Sequence, residues 1–449
     1  MTPQSLKKLD RELTTYLESL TEGMGRPERR AAMTQYVTGL LLDGERKSIE
    51  PIAARLVADP SEVQAMRQRL QQCVVVSPWS ADVMFGRIAR TLDRDLPGVD
   101  AFVVDDTGFP KKGTHSVGVA RQYSGTLGRR DNCQVATSLH LAGEHGSGCI
   151  GMRLYLPDTW TNDRDRCAQV GVPPAVAFAT KWQHALALLD EALAAGVRRH
   201  VVLGDAAYGS TTAFREGLTT RGLPYVLRVQ GSLVAWPPGT TFVVPPSSTA
   251  GRPRTVARAS HETRPLTLAA LAATLTHRRV TWRDGSRGTQ ASRFAAVRIH
   301  TAQGHRQGEG PGPEVWLLSE WPTGEPGPTK LYLSSLPVKT AVRDLVRLGK
   351  LRWRIERDYQ EMKGELGLDH YEGRTWAGFH HHAALCAAAH AFLALRRALS
   401  PPQPDPLDTG ARPSPSPAAA PAETPELSAL WAPRDARSAT SRSLENVIR

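Results

Sequence analysis

Two short apolar runs constrain this chain more than any other feature: Ala101-Phe102-Val103-Val104 and Val201-Val202-Leu203, each ending at an acidic residue. Each reads as a buried strand. The first stops at Asp105-Asp106, the second at Gly204-Asp205. A carboxylate where a buried strand ends is held rigidly yet faces a cleft. Because strand side chains alternate, Asp105 and Asp106 should point to opposite faces. Each acid also has an ordinary reading. Asp-Asp-Thr-Gly-Phe-Pro is a good turn sequence, and Asp205 sits where a helix N-cap belongs. The pair says more than either member, since carboxylates on neighbouring core strands suit a hard divalent cation.

The surrounding pattern is α/β. The spacing predicts strands over 116–123, 132–141, 150–156 and 225–229, and helices over 175–195 and 211–221. The first hundred residues read as helices. Leu6, Leu9, Leu13, Leu17 and Leu20 mark one apolar face, and two short helices around Ile52–Leu56 and Asp59-Pro60 are a candidate helix-turn-helix, or plain bundle packing. Residues 231–335 form a basic, β-rich stretch with twelve Arg and Lys against six acidic residues. A long helix is expected over 341–366 and a histidine-bearing one over 378–399. The tail from Pro401 has nine prolines before Leu427 and is expected to be disordered. The expected parts are a helical, DNA-binding 1–98, a catalytic core split between 99–230 and 336–400, the insertion 231–335 and the tail 401–449.

Within the 341–366 helix, Arg352, Glu356 and Lys363 are spaced to share one face; an exposed i,i+4 ion pair would look the same. Lysine and arginine exceed acidic residues by 12, which favours a polyanionic partner. The five cysteines are scattered without a CxxC pair, against a zinc site or disulfide framework. No signal-like or membrane-spanning run is seen, so a cytoplasmic protein is expected. His380-His381-His382 would point three ways from a helix, which argues against joint metal ligation. Trp236, Trp282 and Trp316 could stack an unpaired base or simply pack.

These blocks together resemble the DDE transposases of bacterial insertion sequences, in the branch with the helix signature Y-x2-R-x3-E-x6-K. Arg352, Glu356 and Lys363 match its R, E and K; Gly349 stands at the tyrosine position, with Lys350 beside it as a substitute contact. Asp105-Asp106-Thr107-Gly108-Phe109 resembles the first-aspartate motif, read from Asp105 or, in the other register, Asp106. Val201–Asp205 followed by Tyr225-Val-Leu-Arg228 resembles the second. The resemblance implies an RNase H-like core carrying a β-rich insertion. It implies Asp105, Asp205 and Glu356 as catalytic ligands of two Mg2+ (or Mn2+) ions. Arg352, Lys363 and Arg228 would be DNA contacts, with Lys111, Lys112 and Arg121 as further candidates. The partners implied are double-stranded DNA, as element ends and target, and a second copy on paired ends, in a bacterial, nucleoid-associated setting. The activity implied is end cleavage and strand transfer. A nuclease without strand transfer, or a decayed DNA-binding derivative, are the alternatives.

Overall fold

The computed structural model describes residues 3–126, 128–247, 254–260, 263–285, 288–303 and 310–399, so the proline-rich tail lies outside the described residues. Ten strands make one mixed sheet: β1 (Val99–Pro110), β2 (Ala120–Ser124), β3 (Arg129–Gly143), β4 (Ser147–Leu154), β5 (Val201–Gly204), β6 (Tyr225–Val229), β7 (Arg278–Gly285), β8 (Gly288–His300), β9 (Glu314–Trp321) and β10 (Lys330–Ser334). Their order is β7-β8-β9-β10-β6-β5-β1-β3-β2, with β4 on β3. The strands β1, β5 and β6 are mutually parallel at the centre. This is the mixed α/β architecture expected of an RNase H-like core. The strands between 278 and 334 are joined edge-on to it through β10 and β6, so they widen the same sheet.

The apolar run at Ala101 was expected to stop at Asp105, and here the structure differs. Strand β1 continues through Asp105-Asp106 to Pro110, because β3 pairs with it from Asp105↔Ser138 to Pro110↔Cys133. A continuous ladder outweighs the local turn preference of Asp-Asp-Thr-Gly. What ends at Asp105 is its other neighbour: the parallel pairing with β5 stops at Val104↔Gly204. The carboxylate is therefore anchored on one side and open on the other.

Helices cover both faces. Five come first: α1 (Pro3–Thr21), α2 (Pro27–Leu41), α3 (Ile49–Leu56), α4 (Val63–Gln71) and α5 (Ala81–Asp95). Next are α6 (Lys181–Ala194), α7 (Ala206–Gly209) and α8 (Thr212–Thr220). Helix α6 starts later than its composition suggested, at the Thr180–Gln183 capping box. The helix expected over 341–366 is in fact two, α9 (Val342–Leu351) and α10 (Trp353–Gly364), separated at Arg352. There the carbonyl of Arg352 accepts from Ile355 N at 3.1 Å, a tighter i→i+3 turn. Leu345, Val346, Leu348, Leu351 and Ile355 bury against Ala101, Val103, Leu203 and Val226 on one sheet face. The last helix, α11 (Trp376–Leu399), is almost wholly buried and joins the N-terminal helices to the core. Tyr16 donates to the Ala388 carbonyl at 2.9 Å, and Tyr36 meets His382 Nδ1 at 2.9 Å.

Candidate active site

Strand alternation sets the site. Ala101 and Val103 face α9, so Asp105 two residues on faces the same way. Leu203 shares that face, and Asp205 follows it in extended backbone, φ −79° and ψ −176°. The two aspartates thus leave adjacent parallel strands side by side, one residue past Val104↔Gly204. Burial pushes the Asp105 carboxyl up to about 6; Arg352 opposes the shift, and the negative charge of Asp205 adds to it. The N-cap reading of Asp205 also holds, since Oδ1 accepts from Ala207 N at 2.9 Å and Tyr208 N at 3.3 Å. Among the described residues, no hydrogen bond falls on its Oδ2. The small residues after Asp205 serve packing: a Cβ on Gly209 would lie 2.0 Å from the Arg228 carbonyl oxygen, so α7 sits flush on β6.

Glu356 reaches the row through Arg352. The helix break at Arg352 aims its guanidinium at the sheet, where Nη1 donates to Asp105 Oδ2 at 2.7 Å and Nη2 to Glu356 Oε1 at 3.1 Å. The side chains of Arg352 and Asp105 are 21% and 17% exposed, while that of Glu356 is 68% exposed. Among the described residues, no group of three or more acidic, histidine or cysteine side chains is arranged to hold a metal ion. At this site the guanidinium stands between Asp105 and Glu356.

Asp106 belongs to the other face, as alternation requires. It pairs with Lys181 Nζ at 2.7 Å and accepts from Thr137 Oγ1 at 3.2 Å and from the Tyr208 hydroxyl. Of the two registers left open by the first-aspartate motif, only Asp105 lies with Asp205 and Arg352.

The expected DNA contacts divide by position. Lys363 donates to the Gly108 carbonyl at 2.8 Å and lies over the Phe109 ring, pinning α10 to β1; burial holds its ammonium down to about 8. Lys111 donates to the Tyr371 carbonyl at 2.7 Å. Lys112 and Arg121 are exposed. Arg228 is half-buried, and its side chain makes no hydrogen bond or ion pair among the described residues. Lys350 is tied to Glu320, at 2.6 Å from both oxygens. The three adjacent histidines do point three ways: His380 to Trp376 and Leu154, His381 to Val74 and Trp79, His382 to Tyr36 and Gly367. Trp236, Trp282 and Trp316 are half-buried against Phe242, Phe294 and Arg298.

Two groups escaped the sequence reading. The first docks the glutamate helix: Asp358 accepts from Ser147 at 2.6 Å and contacts His140 at 2.7 Å, while Tyr359 meets Ser138 at 2.6 Å. Ser138 is the cross-strand partner of Asp105. The second is Tyr332 on β10. Its ring lies over Gly349, where a Cβ would sit 3.5 Å from the nearest ring carbon. Only strand register could have flagged either group.

With this geometry, similarity to known proteins becomes specific. A family model described as DDE superfamily endonuclease matches residues 19–289, a span that includes Asp105 and Asp205 and stops before Arg352 and Glu356. A curated relative, the probable transposase for insertion sequence element IS701 of Microchaete diplosiphon, is 28% identical over 196 residues. That alignment takes in 43% of this chain and 47% of the relative, so the chain spans about half the length of the curated relative it matches.

Proposed function

Because the chain belongs to the DDE superfamily endonuclease family, we propose that it is an insertion-sequence transposase that cleaves DNA at element ends and joins the 3′-hydroxyl to target DNA. The observation that carries the reading is the pairing of Asp105 with Asp205 on adjacent strands, with Glu356 linked to Asp105 through Arg352. The similarity to a transposase supports it, and the basic charge of the chain suits a DNA partner.

The donor set fits a divalent metal. Three carboxylates with no thiolate or imidazole suit a hard cation such as Mg2+ or Mn2+. The Oδ2 atom of Asp205 has no hydrogen bond among the described residues, and Asp105 and Glu356 are bound to a guanidinium that a cation can displace. Asp105, Asp205 and Glu356 would be the ligands. Metal bound there would polarise the phosphoryl group and activate the attacking oxygen.

The remaining work falls to the protein. Its rigid strands fix the two aspartates, and the exposed side chain of Glu356 closes on them from α10. Arg352, released from Asp105, becomes a bidentate donor to phosphate at the same spot. Lys363 adds positive charge beside β1. Lys112 and Arg121 lie on the exposed approach and would meet the backbone further along, and two copies would act on paired ends.

Asp205→Asn in the full chain is the test, using duplexes taken from the DNA bordering the gene. Cleavage should be lost with end binding largely retained. Wild-type cleavage by this variant would remove Asp205 from the mechanism. Pre-cut ends incubated with a supercoiled plasmid then report strand transfer; nicking without joining would restrict the activity to a nuclease.

A further inference from the structure

A row of side chains crosses one face of the sheet. Cross-strand pairs run Leu318↔Tyr332 and Tyr332↔Arg228. The pair Gly204↔Leu227 then places Asp205 beside Arg228, and Val104↔Gly204 places Asp105 beside Asp205. Directly paired antiparallel residues share a face, and Val226, Tyr332, Leu203 and Val103 all pack under α9. Tyr332, Arg228, Asp205 and Asp105 therefore occupy four neighbouring strands in line. At ~4.8 Å per strand, Arg228 lies about 5 Å and Tyr332 about 10 Å along the sheet from Asp205.

Both outer members are chemically uncommitted. Tyr332 is 7% exposed, yet its hydroxyl makes no hydrogen bond among the described residues. Unlike the Tyr371 hydroxyl, it is not a sealed and unpartnered atom, so its oxygen is open to a ligand from solution. Its phenol is pushed up to about 12 by burial and by Glu320, with Arg228 and Arg352 pulling the other way, so both guanidiniums are within electrostatic reach. Arg228 has no ion pair among the described residues, whereas the nearby lysines Lys330 and Lys350 are both held by Glu320. The missing side chain at Gly349 leaves α9 open for the ring. An O–H donor beside an unpaired guanidinium, in line with the carboxylates, matches a phosphodiester oxygen.

We propose that Tyr332 and Arg228 form a phosphate subsite holding a DNA backbone phosphate adjacent to the one engaged at Asp105 and Asp205. The subsite rests on the nuclease reading for its orientation, but its affinity can be measured apart from cleavage.

The experiment is a coupling measurement with the full chain. Wild type, Tyr332→Phe and Arg228→Gln are titrated without divalent ion against border-DNA duplexes that carry one neutral methylphosphonate at successive positions. On unmodified DNA, Tyr332→Phe should bind roughly tenfold more weakly, as expected for one hydrogen bond to a charged group. At one position the methylphosphonate should cost wild type clearly more than it costs Tyr332→Phe or Arg228→Gln, because each variant has already lost one of the two contacts. The thermal unfolding of Tyr332→Phe should match wild type, since only an unbonded hydroxyl is removed. Gly349→Leu, which crowds the ring, should reproduce the loss; Gly349→Ala should not, since 3.5 Å is ordinary contact. Unchanged binding by Tyr332→Phe, or an equal added loss at every modified phosphate, would overturn the subsite. Wild-type binding without cleavage in Mg2+ or Mn2+ would instead defeat the nuclease reading, and the coupling would still decide the subsite.

Discussion

The guanidinium of Arg352 lies 2.7 Å from Asp105, and the same group reaches Glu356 at 3.1 Å. One cation thereby neutralises two of the three acids, beside a second strand-borne aspartate that raises the charge density further. Under the proposed function, Arg352 occupies the position that a divalent ion would take.

Exchange of counter-charge has a measurable consequence. Arg352→Gln leaves Asp105 and Asp205 adjacent without compensation. The cost should be about 1–3 kcal/mol in EDTA, between the values for exposed and buried pairs. Saturating Mn2+ should restore more stability to this variant than it adds to wild type, because the ion no longer competes with a guanidinium. Denaturant melts with and without Mn2+ measure both quantities. Equal stabilisation of the two proteins would show that Arg352 and the metal do not share a site.

The neighbouring acids Asp105 and Asp106 should separate cleanly. Asp105→Asn should reduce cleavage a thousandfold or more, on the order of 4 kcal/mol of barrier. Asp106→Asn loses its charge pairing with Lys181 on the far face, and should cost about 1–2 kcal/mol of stability while cleavage stays within a few-fold of wild type. Cleavage rates and unfolding curves on the same preparations decide it. The opposite pattern would exchange their roles.

One buried acid is central to the docking of α10. Asp358 is 3% exposed; burial alone would raise its carboxyl, but hydrogen bonds from His140 and Ser147 and the nearby His390 hold it below the usual range. Asp358→Ala strands His140 in the core and should cost about 3–5 kcal/mol. Unfolding within 1 kcal/mol of wild type would mean that the bonds of Tyr359 to Ser138 and of Lys363 to Gly108 carry the helix without it.

How much of this was legible in the sequence follows from which forces are local. The strand at 225–229 and the Arg352–Glu356 spacing were readable because each depends on a short periodic pattern. The continuation of β1 past Asp105 was not, because the stabilising ladder comes from β3, about thirty residues on. The helix break at Arg352 was equally hidden: the apolar stripe runs through it without a proline or glycine cap, and only packing on the sheet reveals it. Tyr332 was invisible for the same reason, since its closeness to Asp205 is set by strand order across the widened sheet.

Lys363 supplies the pH dependence. Burial holds its ammonium down to about 8, with only a partial correction from Asp369. Below that value it carries positive charge beside β1; above it the charge is lost. The folded pKa lies below the unfolded lysine value of about 10.4, so between the two the unfolded chain binds more protons and this group adds stability as pH rises. A fall in DNA affinity over that interval therefore cannot come from unfolding driven by Lys363. Affinity for border duplexes should weaken several-fold between pH 7 and 9 in wild type, whereas Lys363→Arg, charged throughout, should hold its affinity flat. Titrations at constant ionic strength provide the check. Parallel losses in both proteins would show that the charge on Lys363 never meets the DNA, and that its bond to Gly108 is its whole contribution.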